Sequence, residues 1–317
     1  MNKHHQKTSS SKKNKKLFFF IASTVIFFAL LYPAIRYYHL HYHVTSWFSN
    51  HTSPKNLMQS TQRKADTPPL FSNLQFDIHN KVVSRVNSNL SGLAYDFDQH
   101  LLIGIINRPP SIVILNTEGH TLRHHLIHGA NDTESVTYIG NGQIALLQEK
   151  RRSILIATIP AKDNTPITVH ETNAFKLNAP EDKNNGPEGI AYHAQTDTFY
   201  IVKERQPTAL YAVQGLLTDP QNAVQHDLSH YLSPLNFATD LSGLAFDPEN
   251  QYLLLLSDEA QMIIAIDLEG DFIDYFDLAP WNTALPPPQP EGITIGSDGT
   301  IYIVSEPNLF YRLRSGA

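Results

Sequence analysis

One local pattern recurs five times along this chain. A short turn carrying Ser-Gly, Glu-Ser or Glu-Gly leads into an apolar strand, and a second strand then ends in Asn or Glu. The five lead-ins are Leu90-Ser91-Gly92-Leu93-Ala94, Thr133-Glu134-Ser135-Val136-Thr137, Pro187-Glu188-Gly189-Ile190-Ala191, Leu241-Ser242-Gly243-Leu244-Ala245 and Pro290-Glu291-Gly292-Ile293-Thr294. Counted from the third residue of each, they lie 43, 54, 54 and 49 residues apart. A unit of that length, made of short strands, cannot bury its apolar faces alone and must stack against its own copies. This is the logic of a propeller or a solenoid.

Within each unit the signals are those of strands. The first strands are short and apolar. They are followed by turns rich in Asp, Asn and Gly, such as Gly140-Asn141-Gly142 and Ser297-Asp298-Gly299, which tolerate the positive φ of tight hairpins. The second strands (101–106, 144–148, 199–203, 252–257 and 301–305) and third strands (112–115, 154–158, 210–213, 263–266 and 310–313) are β-branched and aromatic. At about 48 residues per unit over 74–315, a fourth strand fits each longer gap. The expected fold is all-β: a five-bladed β-propeller spanning 74–317. The last unit stops after its third strand, and Leu74–Ile78 precedes the first lead-in without a unit of its own. That segment is expected to complete the last blade. The loosely assigned stretches 159–186 and 214–239 hold no copy of the lead-in and read as insertions rather than a sixth blade.

Charge divides the chain. Residues 1–73 carry ten basic residues and one acid, whereas the rest carries 14 basic and 29 acidic residues. An acidic body argues against nucleic acid as a partner, because phosphate binding needs a basic face. The absence of cysteine removes disulfides, thiolate ligands and a thiol nucleophile. No phosphate-cradling loop and no Gly-x-Ser-x-Gly is present.

Residues 17–35, LFFFIASTVIFFALLYPAI, are uncharged. As a helix they would span roughly 28 Å, close to the thickness of a hydrocarbon core. Six lysines precede them and only Arg36 follows closely. The positive-inside rule therefore assigns 1–16 to a cytoplasmic basic tail, 17–35 to a single transmembrane anchor and the remainder to the extracytoplasmic (periplasmic) side of the inner (plasma) membrane. A cleaved secretion signal is the rival reading, but no small-x-small site follows, so a signal-anchor is expected. Residues 36–73 read as a flexible tether.

A hairpin that leaves one end of a blade returns to that end. The lead-in residues Ser91, Glu134, Glu188, Ser242 and Glu291 should therefore share a rim with Asn107, Glu149, Glu204, Glu259 and Glu306, which follow them by 16, 15, 16, 17 and 15 positions. Two carboxylates about 5 Å apart repel by roughly 3 kcal/mol at an effective dielectric of about 20. A crowd of them needs water, protons or a cation. Oxygen ligands without Cys or His favour calcium. The expected metal ligands are Glu134, Glu149, Glu188, Glu204, Glu291 and Glu306, then Glu259 and Asn107. A purely structural ring, with glutamates paired to Lys150, Arg151, Arg152 and Arg205, is the competing reading. Asp132, Asp240 and Asp258 read as turn residues, His193 as a packing residue, and His124, His125 and His128 as loop residues.

These motifs resemble the SdiA-regulated protein family. The likeness is carried by Leu90–Ala94, Ile106–Pro109, Glu134–Gly140, Glu188–Tyr192, Val202–Glu204 and Leu241–Ala245, and above all by Glu291–Thr294 with Ile301–Asn308 and Phe310–Arg312. It implies a membrane-anchored, five-bladed, NHL-like propeller with a calcium site. Ser135 departs from the lead-in glycine, and Ser91 and Ser242 depart from the acid. The function expected is that of a binding or interaction module for an unidentified ligand or envelope protein. The alternative is a metal-dependent, lactonase-like hydrolase using the carboxylates of the channel mouth.

Overall fold

The computed structural model describes residues 69–179, 186–205, 207–235, 237–280 and 286–316. The anchor expected at 17–35 and the tether up to residue 68 lie outside the described residues. Among the described residues no helix is long and apolar enough to cross a membrane.

Strands dominate the regular structure of the described residues. β1 (Leu74–Val82) comes first. β2 (Leu90–Asp96), β3 (Leu101–Ile106), β4 (Ser111–Leu115) and β5 (Thr121–His128) form blade 1. Blade 2 contains β6 (Thr133–Gly140), β7 (Gln143–Gln148) and β8 (Ser153–Thr158). Two short strands follow, β9 (Ile167–Thr168) and β10 (Phe175–Lys176). Blade 3 is β11 (Pro187–His193), β12 (Thr198–Lys203), β13 (Ala209–Gln214) and β14 (Val224–Asp227). Blade 4 is β15 (Gly243–Asp247), β16 (Tyr252–Ser257), β17 (Met262–Asp267) and β18 (Phe272–Asp277). Blade 5 is β19 (Pro290–Ile295), β20 (Ile301–Ser305) and β21 (Leu309–Ser315).

Five separate sheets result, antiparallel but for one edge pairing in blade 1, and β1 supplies the fourth strand of blade 5 by pairing with β21. This is the closure the sequence predicts. Arg312 on β21 fastens it by donating to the Asp77 carboxylate of β1 at 2.8 Å and to the carbonyl of Thr117 in blade 1 at 3.0 Å. Closure leaves neither end of the ring as an open edge.

The stretch 159–186 adds no sixth blade. Part of it crosses back, so that β9 joins the outer edge of β5 in parallel, and β10 then completes blade 2. The three histidines expected in a loop are on β5 instead. The alternation of Leu, His and Arg along that strand suits an outer strand with one wet face. His193 packs as expected, buried and stacked on Phe246 with ring centroids 4.4 Å apart.

Why the second strands are so uniformly apolar is clear from the core. It is divided into five apolar clusters, one at each junction between neighbouring blades. Ile103 and Ile105 meet Ile144 and Leu146 between blades 1 and 2. Leu102 on the opposite face of the same strand meets Tyr302 and Val304 of blade 5. Alternate residues thus serve different junctions, and a strand buried on both faces reads as a continuous apolar run. The inner strands β2, β6, β11, β15 and β19 contact one another in a closed circle around the axis.

Candidate functional site at the lead-in rim

Two local devices build the rim. The first is a β-bulge. Pairing of the inner strand with its neighbour slips between Leu90 and Gly92, between Thr133 and Ser135, between Pro187 and Gly189, and between Pro290 and Gly292. The unpaired residue in each case is Ser91, Glu134, Glu188 or Glu291. A bulge re-aims the side chain it carries and commonly does so beside functional sites. The second device is the residue that follows. A Cβ on Gly292 would lie 2.7 Å from Cα of Gly92, and one on Gly243 would lie 2.8 Å from the carbonyl oxygen of Glu291. These glycines let successive inner strands touch backbone to backbone. Ser135 stands where the other blades have glycine, and its hydroxyl accepts a hydrogen bond from the Ile190 N–H of blade 3 at 3.3 Å. The departure from glycine is therefore a different joint between the same two neighbours.

Behind the rim the axis is nearly filled. Side chains of the inner strands, among them Ala94, Thr137, Ala191, Ala245 and Thr294, enclose a channel of only about 30 Å³. The carboxylates thus sit above an axis almost closed by side chains.

The tightest convergence lies between blades 1 and 2. Carboxylate oxygens of Asp132, Glu134 and Glu149 all fall within 4.8 Å of one another. The Asn107 amide donates to Glu134 Oε1, and the Gly186 N–H donates to Glu149 Oε1 at 3.1 Å. Lys150 Nζ and Arg108 reach Asp132 Oδ1 at 2.7 and 3.2 Å. Asn107 Oδ1 and Asp132 Oδ2 are buried without a hydrogen-bond partner. Buried acceptors left without donors are uncommon, and a hard cation is one species that would satisfy them.

Sequence reasoning set Asp132 aside as a turn residue. It does occupy a turn, with φ of +56°, yet that left-handed backbone presents its carboxylate to the cluster. Lys150 and Arg108, both in sequence beside site residues, were the available signal. Asp240 is the turn residue it was expected to be: it is buried and accepts from Ser257 Oγ and from the N–H groups of Asp258 and Glu259.

Glu188 and Glu291 occupy the centre of the rim. Burial, then the charges of Glu134, Glu291, Glu149 and Glu204, push Glu188 well above the usual carboxylate range. Burial and Asp258 do the same to Glu291, opposed by a hydrogen bond from Gln289 Nε2 at 2.7 Å. Burial, with Asp132 and Glu149 adding to it, raises Glu134 to about 7. Glu149 and Glu306 are raised mainly by burial. Asp132 is held below its ordinary value because the bonds from Lys150 and Arg108 outweigh its burial.

The remaining two expected ligands are otherwise engaged. Arg205 forms ion pairs with both Glu204 and Glu259, the latter at 3.1 Å, and Thr239 donates to Glu259. The rim is therefore divided. The strand-end carboxylates of blades 3 and 4, Glu204 and Glu259, are neutralised by a guanidinium, whereas Glu134, Glu149, Glu188, Glu291 and Glu306 have no ion pair with a basic side chain among the described residues.

Fold and rim together define a closed five-bladed β-propeller with converging carboxylates at one end of its axis. Residues 69–314 match the SdiA-regulated family, and the chain belongs to that family. Solved structures resemble the chain at low identity. The glutaminyl cyclase of Myxococcus xanthus is 11% identical over 76% of this chain and 95% of its own, with a TM-score of 0.50. A luciferin-regenerating enzyme is 13% identical over 74% and 94%, with a TM-score of 0.49. A streptogramin B lyase is 14% identical over 78% and 100%, with a TM-score of 0.45.

Proposed function

We propose that this SdiA-regulated propeller is a calcium-dependent binding module, tethered to the inner membrane through residues 17–35 and displayed on the extracytoplasmic side. The observation that carries the cation is the meeting of Asp132, Glu134 and Glu149 within 4.8 Å beside the unpartnered Oδ atoms of Asn107 and Asp132. The donor set is all oxygen, which suits calcium and disfavours zinc or copper. Asn107 orients Glu134, Gly186 orients Glu149, and Lys150 with Arg108 keeps Asp132 ionised. Calcium bound there would offer a ligand's carbonyl or carboxylate a positive charge in a mouth that otherwise repels it. The anchor rests on the uncharged stretch and the lysines before it.

The test uses full-chain protein in detergent. Calcium should raise the melting temperature, and the Glu134→Gln and Glu149→Gln variants should lose that response while magnesium at equal concentration does much less. An unchanged melt with calcium, together with no calcium in the purified protein, would remove the metal.

One observation favours a second reading as a hydrolase. Glu134, raised to about 7, can exchange a proton near neutral pH, as a general base must. A panel of simple lactones and esters decides: turnover lost in Glu134→Gln would support it, and inertness with calcium bound would leave the binding role.

A further inference from the structure

At the opposite end of the propeller from the carboxylates, a cavity of about 400 Å³ opens where blades 4 and 5 meet the segment that precedes β1. Its size falls within the range of small-molecule sites, roughly 300–1,000 Å³. The walls come from four separate parts of the chain. Phe71 and Leu74 belong to the N-terminal segment, Leu254 to blade 4, Ile295 to blade 5, and Phe97 leans in from the first hairpin of blade 1. Phe97 is 40% exposed, unusual for a phenylalanine at a turn, and it packs edge-on against Tyr95 with ring centroids 5.0 Å apart. Phe71 is held in place by its own N–H, which donates to Asp274 at 3.0 Å. The aromatic walls are thus fixed from both sides.

The charge of the lining is one-sided. Two carboxylates, Asp247 and Glu249, line the cavity, and among the described residues no lysine, arginine or histidine does. The two acids differ. Asp247 is buried and committed to its own turn, accepting from the N–H groups of Glu249 and Asn250 and from the Asn250 amide. Glu249 is exposed, and among the described residues its carboxylate accepts no hydrogen bond and forms no ion pair.

We infer that this cavity is a binding site for a small aromatic or aliphatic amine in its protonated form. The apolar body enters between Phe71, Leu254 and Ile295, and the ammonium group stays at the mouth between Glu249 and the face of Phe97. An apolar wall takes the hydrocarbon. A free carboxylate and an aromatic face both favour a cation and disfavour an anion. Because one wall is Phe71, an occupant also bridges the segment before β1 to blades 4 and 5.

Phenethylammonium is the probe, with phenylethanol and 3-phenylpropanoate as the neutral and anionic controls, added to the full chain in detergent with saturating calcium. Binding is read by saturation-transfer NMR and isothermal titration. The ammonium is expected to bind in preference to both controls, Glu249→Gln to weaken it about tenfold, and Ser297→Trp, which fills the exposed mouth, to abolish it. Glu134→Gln, at the other rim, should leave it unchanged. Both cavity substitutions fall on exposed turn residues, and an unchanged melting temperature identifies them as folded. The inference is overturned by absence of binding to the wild type. It is overturned equally by binding of the controls as tight as that of the amine, or by loss in Glu134→Gln with retention in Ser297→Trp.

Discussion

The two ends of this propeller are built from the same hairpins and are both rich in acid, yet their carboxylates do different things. At the hairpin end the Asp carboxylates are taken up by donors of the surrounding turns and loops. Asp96 accepts from the N–H groups of Asp98 and Gln99 at 2.9 and 3.0 Å. Asp197 accepts from the N–H groups of Leu217 and Thr218 and from the Thr218 hydroxyl. At the lead-in end Glu134, Glu188 and Glu291, one methylene longer, are carried on bulges and aimed at the axis. There they meet one another rather than backbone donors. Among the described residues neither the Glu188 nor the Glu306 carboxylate accepts a hydrogen bond. Acid content alone therefore says little; an acid whose oxygens are already filled holds a turn, and an acid without donors is left to hold something else.

The largest effect should come from breaking the ring on which the lead-in end depends. Gly292→Val forces a side chain into the backbone of Gly92 and should cost about 3 kcal/mol or more in urea unfolding. Ala in place of Ser135 should cost much less, since that joint is a single hydrogen bond.

Calcium comes next. At about a hundred times its dissociation constant it should add ~2.7 kcal/mol, an increment that Glu134→Gln removes. The calcium-free protein should also show an inverted pH dependence. Glu134 holds its proton up to about 7 in the folded state, against an ordinary value of 4.5. Between those values the folded chain binds more protons than the unfolded one, so this group's stabilisation is complete below about 4.5 and is lost as pH rises through 7. Glu188 and Glu291 act in the same direction; Asp132, lowered, acts oppositely and only at more acid pH. Calcium should flatten the profile, and Glu134→Gln should reduce its slope. A flat calcium-free profile between pH 4.5 and 7 would contradict the crowding of the rim.

At the other end Asp197→Ala should cost about 2 kcal/mol through the donors it strands, with the calcium response intact. The smallest effect should belong to Arg108→Ala and Lys150→Ala. Both side chains are mostly exposed, and each should change stability by no more than about 0.5 kcal/mol, while raising the pH at which calcium begins to bind.

Much of this was legible before any coordinates. Five lead-ins at propeller spacing fixed the blade count, and the orphan segment beginning at Leu74 was needed to finish blade 5. Hairpin geometry alone put Glu134, Glu188 and Glu291 at one end. What was not legible depends on register and on neighbours distant in sequence. The bulges that aim those glutamates exist only as a mismatch between two strands. Asp132 joins Glu134 and Glu149 through a left-handed backbone that asparagine and aspartate adopt without announcing it. Arg205 was named as a partner for the glutamate beside it, but its second hold, on Glu259 of the next blade, lies 54 positions away. The crossing of β9 to blade 1 left no pattern, because two residues are too few to show one.

The pairing of β1 with β21 also has a mechanical meaning. Tension applied to the chain ahead of Leu74 does not reach blades 2 to 4 first. It falls on the seam between β1 and β21, where Arg312 grips Asp77, and the aromatic-walled cavity holding Phe71 and Leu74 lies directly in the line of pull. A load on that strand would be felt as a loosening of the fifth blade, the blade that also carries Glu291 and Glu306.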